Sequence, residues 1–259
     1  MTRVSRRSLI AALALLPVLP RLARAGAELD RIKQAGVLKI GTEGTYPPFT
    51  FHDQAGKLVG FDVEIGQDIA KRMGLKPEFV EGKWDGLIAG LDAGRYDVVI
   101  NQVGITEERK AKYAFSEPYI ASKAVLIVKA DDNAIGDFKD LKGKRAAQSL
   151  TSNYAKMAEA AGAELVGTEG FDQSIALVAQ GRADATINDS LSFFDFKKKQ
   201  PDAPVKIAGT KDEASYSGII MRQGDPDLVS AINKALKEMD SDGSYKRIAE
   251  FYFGQDVSK

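Results

Sequence analysis

The feature that most constrains this chain is a spaced pattern that occurs twice. Gly94-Arg95-x-Asp97-x-x-Ile100-Asn101 returns as Gly181-Arg182-x-Asp184-x-x-Ile187-Asn188, with Asp189 directly after the second copy. Each copy follows an apolar run at helical spacing: Leu87, Ile88 and Leu91 before the first, Ile175, Leu177 and Val178 before the second. A helix, a glycine turn and a short apolar strand that empties into polar residues form a repeated α/β unit. Its polar residues lie beyond the strand's carboxyl end, where open α/β sheets bind their ligands. Two such units predict two similar lobes facing one cleft. Arg109, at the helix start Thr106-Glu107-Glu108-Arg109, comes from the first and Asp189 from the second. One positive and one negative charge across a cleft match a free amino acid.

The 259 residues, 44% of them hydrophobic, suffice for one large or two modest α/β domains. The 36 basic residues balance 36 acidic ones, so a nucleic-acid footprint is absent. Lys197-Lys198-Lys199 reads as a solvated helix end. With no cysteine, disulfides and thiolate chemistry are excluded. The single histidine, His52, falls in a turn-like stretch with no His or Cys partner, so it reads as a surface residue and no metal or cofactor is called for. The amino terminus is a targeting segment: Arg3, Arg6 and Arg7, an apolar run from Leu9 to Leu19, then the small-x-small site Ala23-Arg24-Ala25. That run is too short to span a bilayer. Ser5-Arg6-Arg7-Ser8-Leu9 also resembles a twin-arginine signal, which leaves the export route open. The mature protein is expected to begin near Gly26, after cleavage at about Ala25, and to be soluble in a bacterial periplasm.

Taken in order, the mature chain offers several cleft candidates. A strand at 37–41 gives way to Thr42-Glu43-Gly44-Thr45-Tyr46-Pro47-Pro48-Phe49, a loop stiffened by its prolines. Tyr46 is a candidate cleft wall, and Phe49 reads more readily as core under the turn. Asp62 is placed to cap a helix with the apolar face Ile65, Ile69 and Met73. Trp84, the only tryptophan, stands where a loop enters a helix; it either lines a pocket or staples that helix. Thr151 and Ser152, in the loop that opens the helix after Gln148, are either plain caps or an anion site at the free N–H groups. Asp189 likewise either faces the cleft or caps the helix that follows it. Strands at 205–208 and 217–221 lead back, and two amphipathic helices close the chain. A return to the first lobe gives two crossings and a hinge.

The assembled pattern resembles the periplasmic amino-acid-binding proteins of polar amino acid ABC importers, over essentially the whole mature chain. The segments that carry the likeness are Val59–Asp62, Trp84-Asp85-Gly86, Gly104-Ile105-Thr106-x-x-Arg109, Phe115-Ser116-x-Pro118-Tyr119, Asp140-Leu141-x-Gly143-Lys144, Gly181-Arg182-x-Asp184-Ala185, Asp242-Gly243 and Phe253-Gly254. Within the family it looks most like the cystine and cysteine binders, on Gly44 to Phe49, Trp84-Asp85-Gly86, Asn101-Gln102-Val103 and Gln148 to Tyr154. The resemblance implies a two-lobed α/β periplasmic binding protein fold with a two-stranded hinge and a ligand cleft between the lobes. Lobe one would be residues 26–120 and 219–259, lobe two residues 121–218, after a signal peptide at 1–25. It implies that Arg109 binds the ligand α-carboxylate, with Thr151 and Ser152 donating to it. Asp189 and the Gln102 carbonyl would take the α-ammonium. Tyr46 and Trp84 would sandwich the side chain, and Glu43 and Gln148 would set its specificity. One departure stands out: many relatives carry Thr or Ser at the position of Gly104, so only its backbone remains to meet the ammonium. The implied protein is a monomeric, non-catalytic carrier of an L-amino acid, cystine or cysteine, with a membrane ABC permease as partner. A basic or other polar amino acid is the competing ligand. The competing class is an enzyme like the cyclohexadienyl dehydratases, for which Glu43 is the extra carboxylate.

Overall fold

The computed structural model describes residues 26–258; the targeting segment lies outside the described residues. Two five-stranded open sheets carry the fold, and they share one plan. In the first, Lys76–Glu81, Val37–Thr42 and Val98–Val99 run parallel, followed by the antiparallel Ile220–Arg222 and then Tyr113–Phe115. In the second, Glu164–Gly167, Arg145–Gln148 and Ala185–Asp189 run parallel, followed by the antiparallel Ala124–Lys129 and then Val205–Thr210. The repeated sequence pattern occupies the equivalent place in each. Gly94 and Gly181 end helices with φ of 69° and 70°, a conformation a side chain disfavours. Asp97 then accepts from the main-chain N–H of Lys39 at 2.9 Å, and Asp184 from that of Arg145 at 2.7 Å. Each aspartate thus pins the start of its own strand to the neighbouring one.

The two sheets are joined where Ile120–Ser122 pairs antiparallel with Ser215–Ser217. One strand carries the chain from Tyr113–Phe115 to Ala124–Lys129, the other brings it back from Val205–Thr210 to Ile220–Arg222. The single strand expected over 217–221 is therefore broken at Gly218-Ile219, because its halves belong to the crossing pair and to the first sheet. After the return, helices Pro226–Ser241 and Ser244–Phe253 pack on Phe61–Arg72 in the first lobe. Both faces of each sheet are covered, and one apolar cluster runs from lobe to lobe through Tyr46 and Phe171, whose rings lie 6.3 Å apart.

Two local expectations are corrected. Asp62 does not cap helix Phe61–Arg72; Gly60 stands at that position with φ 133°, where a side chain would collide with the Phe49 carbonyl at 2.2 Å. The Asp62 carboxylate turns inward instead. His52 ends the strand Thr50–His52 rather than lying in the turn, though it is exposed, 3.3 Å from Glu81. Phe49 is fully buried.

Candidate functional site

Between the lobes lies a cavity whose space, together with the solvent at its mouth, comes to about 470 Å³. Lobe one contributes Glu43, Tyr46, Trp84 and Gln102; lobe two contributes Gln148, Ser152 and several residues the sequence reading did not single out. The carboxyl ends of Val37–Thr42 and Arg145–Gln148 deliver Glu43 and Gln148 to it directly. Among the described residues, three buried side-chain polar atoms have no hydrogen-bond partner: Trp84 Nε1, Gln102 Oε1 and Gln148 Nε2. All three residues line this one cavity. Buried polar groups are ordinarily paired, so two donors and an acceptor left open around one space mark a place for a polar guest.

The charges tell the same story. Glu43, Asp62, Asp189 and Arg109 are buried, and none belongs to an ion pair within 4 Å among the described residues. Burial pushes Glu43 up to about 7, although Asn101 Nδ2 donates to it at 2.6 Å. Burial also raises Asp189 to about 6 and Asp62 to about 7, and it lowers the Arg109 guanidinium. Asp62 accepts from the Gln102 main-chain N–H at 2.9 Å, from Gln102 Nε2 at 3.0 Å and from the Tyr119 hydroxyl at 2.9 Å. Gln102 is the one non-glycine residue described with positive φ, 51°, and this clamp leaves its side-chain oxygen without a partner at the cleft.

Of the predicted residues, Gly104, Arg109, Thr151 and Asp189 surround the cavity without lining it. Arg109 and Gly104 face an adjoining space that shares Asn153 with the first. Arg109 donates to the Gly104 carbonyl at 2.9 Å, and its Cζ lies 5.4 Å from the centre of the Trp84 ring. Thr151 is turned to Asp85 of the opposite lobe, donating its N–H at 2.9 Å and its hydroxyl at 2.8 Å. Ser152 caps helix Asn153–Ala160, accepting from the Ala155 N–H at 2.9 Å. Asp189 caps helix Ser190–Lys199 through the Leu191 N–H at 2.8 Å and also accepts from the Ser122 hydroxyl in the crossing strand. The Tyr46 hydroxyl crosses the cleft to donate to Asn188 Oδ1 at 2.6 Å.

The wall residues that the sequence reading passed over are Asn153, Tyr154, Phe171, Ser174 and Asn188, with Gly170 and Ser149 between them. Two signals pointed at them. Asn188 ends the repeated pattern, and Gly170-Phe171 opens a helix just past the carboxyl end of Glu164–Gly167.

A profile of the bacterial extracellular solute-binding proteins, family 3, matches residues 38–255. The L-cystine-binding protein TcyA of Bacillus subtilis is 48% identical over 229 residues, 88% of this chain and 85% of the relative. The L-cystine solute receptor of Neisseria gonorrhoeae, in an unliganded open conformation, is 48% identical over 90% of this chain and all of its own, with a TM-score of 0.60. An ancestral arginine-binding protein bound to arginine is 40% identical over 84% of this chain and 98% of its own, with a TM-score of 0.79. The less identical, ligand-bound structure superposes better.

Proposed function

The chain belongs to the bacterial extracellular solute-binding proteins of family 3, and from that premise we propose that it captures L-cystine or L-cysteine outside the cytoplasm and delivers it to an ABC permease. The observation that carries this reading is the cavity between the lobes, where three unpartnered polar atoms and the buried Glu43 line one space and the buried Arg109 and Asp189 stand beside it. A zwitterion supplies what each of those groups lacks.

In this reading Arg109 takes the α-carboxylate, for which a guanidinium offers two parallel donors. Ser152 and Thr151 donate to the same group, the ligand displacing the Asp85 carboxylate that now occupies Thr151. Asp189 and Gln102 take the α-ammonium, with the backbone of Gly104 beside them. Tyr46 and Trp84 flank the side chain, since aromatic rings suit a polarizable sulfur, and Glu43 and Gln148 meet its far end. Lobe one is residues 26–120 and 219–259 and lobe two 121–218, a division supported by the sheet membership. Hinge closure between lobes is a known response to ligand in periplasmic binding proteins. The protein acts as a monomer in the periplasm after cleavage near Ala25.

A dehydratase-type enzyme is the rival reading, and the raised Glu43 carboxylate favours it, being poised to donate a proton near neutral pH. Carriage is preferred because Asn101 already anchors Glu43 and the cystine-binding relatives are binding proteins.

A thermal melt against the natural amino acids tests the ligand. L-Cystine or L-cysteine should raise the melting temperature most, by the shift that about 2.7 kcal/mol produces at a hundred times Kd. A larger shift from arginine, lysine, histidine or glutamine, with none from cystine, overturns the ligand assignment. Recovery of the ligand unchanged by mass spectrometry separates carriage from catalysis.

A further inference from the structure

We propose that Asp62 is a positioning residue for ligand recognition: from outside the cavity it decides which end of the Gln102 side-chain amide faces the cleft, so that the site offers an acceptor there and not a donor. This rests on the amino-acid-binding reading above, in which Gln102 serves the α-ammonium. Asp62 is fully buried and is not among the residues that line the cavity. A carboxylate accepts hydrogen bonds and donates none, whereas a glutamine amide has one end of each kind. One carboxylate oxygen of Asp62 accepts from Gln102 Nε2 at 3.0 Å and from the Tyr119 hydroxyl at 2.9 Å. The other accepts from the Gln102 main-chain N–H at 2.9 Å. With Nε2 committed, Oε1 is the end left over. Among the described residues it is the one buried side-chain acceptor without a partner, and its residue lines the cavity. Turning the amide over would set oxygen against oxygen at Asp62 and present N–H to the cleft. An ammonium has only donors, so it requires the orientation that Asp62 imposes.

Asp62 can impose it because its own place is fixed from three sides. It stands in the first turn of helix Phe61–Arg72, where the helix dipole favours an anion. Its main-chain N–H donates to the Phe49 carbonyl at 2.9 Å, at the end of the loop that carries Tyr46. Tyr119, its third partner, is held at the start of the crossing pair: its N–H donates to the Ser217 carbonyl at 3.0 Å, and its carbonyl accepts from the Tyr245 hydroxyl at 2.5 Å. The competing account is that Asp62 attracts the ammonium by its charge alone, whichever way the amide points.

The test is calorimetry with L-cystine at about pH 8, above the Asp62 value of about 7. L-Arginine serves as a second probe, since it carries the same head and separates this inference from the ligand assignment. Asp62→Asn lets the Gln102 amide turn over and should weaken both probes by about tenfold or more, the order of a hydrogen bond to a charged group. Gln102→Met keeps the Asp62 charge but removes the acceptor, and should cost as much. Asp62→Asn combined with Gln102→Glu matches donors to acceptors again, with a carboxylate oxygen facing the cleft. That double variant should fold and bind within about threefold of the wild type, a recovery that independent losses would not give. It also keeps the test decisive where Asp62→Asn alone does not fold. Wild-type affinity in Asp62→Asn overturns the inference, as does wild-type affinity in Gln102→Met, which would leave charge alone as the cause. A double variant that does not fold, or binds no better than Asp62→Asn, overturns it too. Each of these outcomes leaves the amino-acid-binding reading intact. No binding of any natural amino acid to the wild type overturns the reading and the inference together.

Discussion

One carboxylate oxygen of Asp85, in lobe one, accepts from both the main-chain N–H and the hydroxyl of Thr151, in lobe two, at 2.9 and 2.8 Å. The other oxygen meets the Leu150 N–H at 3.3 Å. An internal carboxylate thus occupies donors assigned above to the ligand, and it ties the lobes together at the same time. Asp85→Ala should therefore open the ligand-free protein, seen as a larger radius of gyration in small-angle scattering. It should also tighten ligand binding several-fold, because a competitor is gone. Weaker binding would show that Asp85 is a latch retained in the complex, and that Thr151 does not receive the ligand.

Arg109 is a buried cation stacked beside Trp84, and among the described residues its guanidinium is bonded to the Gly104 carbonyl. Removing it should leave the ligand carboxylate unpaired. Arg109→Ala should cost about 3–5 kcal/mol of binding, roughly two to three and a half decades in Kd. The fold should persist, since no ion pair is broken. A loss of less than tenfold by calorimetry would refute the role.

Glu43 and Asp189 stand at about 7 and about 6, above their ordinary values, because burial disfavours their charge. A carboxyl whose pKa is raised in the folded state binds protons there more tightly than in the unfolded chain. These groups therefore make the ligand-free protein lose stability as pH rises from their unfolded values through about 7. An ammonium ligand needs both ionised, so its affinity should rise over the same window and flatten above it. Asp62, also near 7 and bonded to Gln102, adds to the same trend. The melting-temperature gain from ligand should be larger at about pH 8 than at about pH 5.5. A gain that is larger in acid would sink the charge pairing.

The paired aspartates of the repeated pattern give a stability prediction. Asp97 is 3% exposed and holds the Lys39 N–H, while Asp184 holds the Arg145 N–H and its guanidinium at a more open site. Asp97→Ala should destabilise by about 1–3 kcal/mol and Asp184→Ala by less. Urea unfolding measures both. Equal, negligible losses would mean the pattern has no structural role.

Much of this was legible beforehand, and the repeated pattern shows why. Glycine with positive φ, an aspartate pinning the adjacent strand and an apolar strand are local requirements, so they leave a local trace. Ser244–Phe253 and the repeated helix–strand units were readable for the same reason: periodicity and caps report on near neighbours. Asp62 was misread because capping is a local signal, whereas its partners Gln102 and Tyr119 lie 40 and 57 residues away in sequence.

The sequence by itself determined two similar α/β lobes, the crossing between them, and a set of polar residues delivered to the carboxyl ends of strands. Which of those residues face one another was decided by tertiary structure. Ser152 and Asp189 cap helices while standing at or beside the cleft, and no spacing rule separates those uses. The pairing of Asp85 with Thr151, the reach of Tyr46 to Asn188, and the open donors of Trp84 and Gln148 arise when separate lobes close on each other. Contacts between surfaces so distant in sequence depend on how the two lobes pack as bodies, a geometry that no stretch of residues encodes alone.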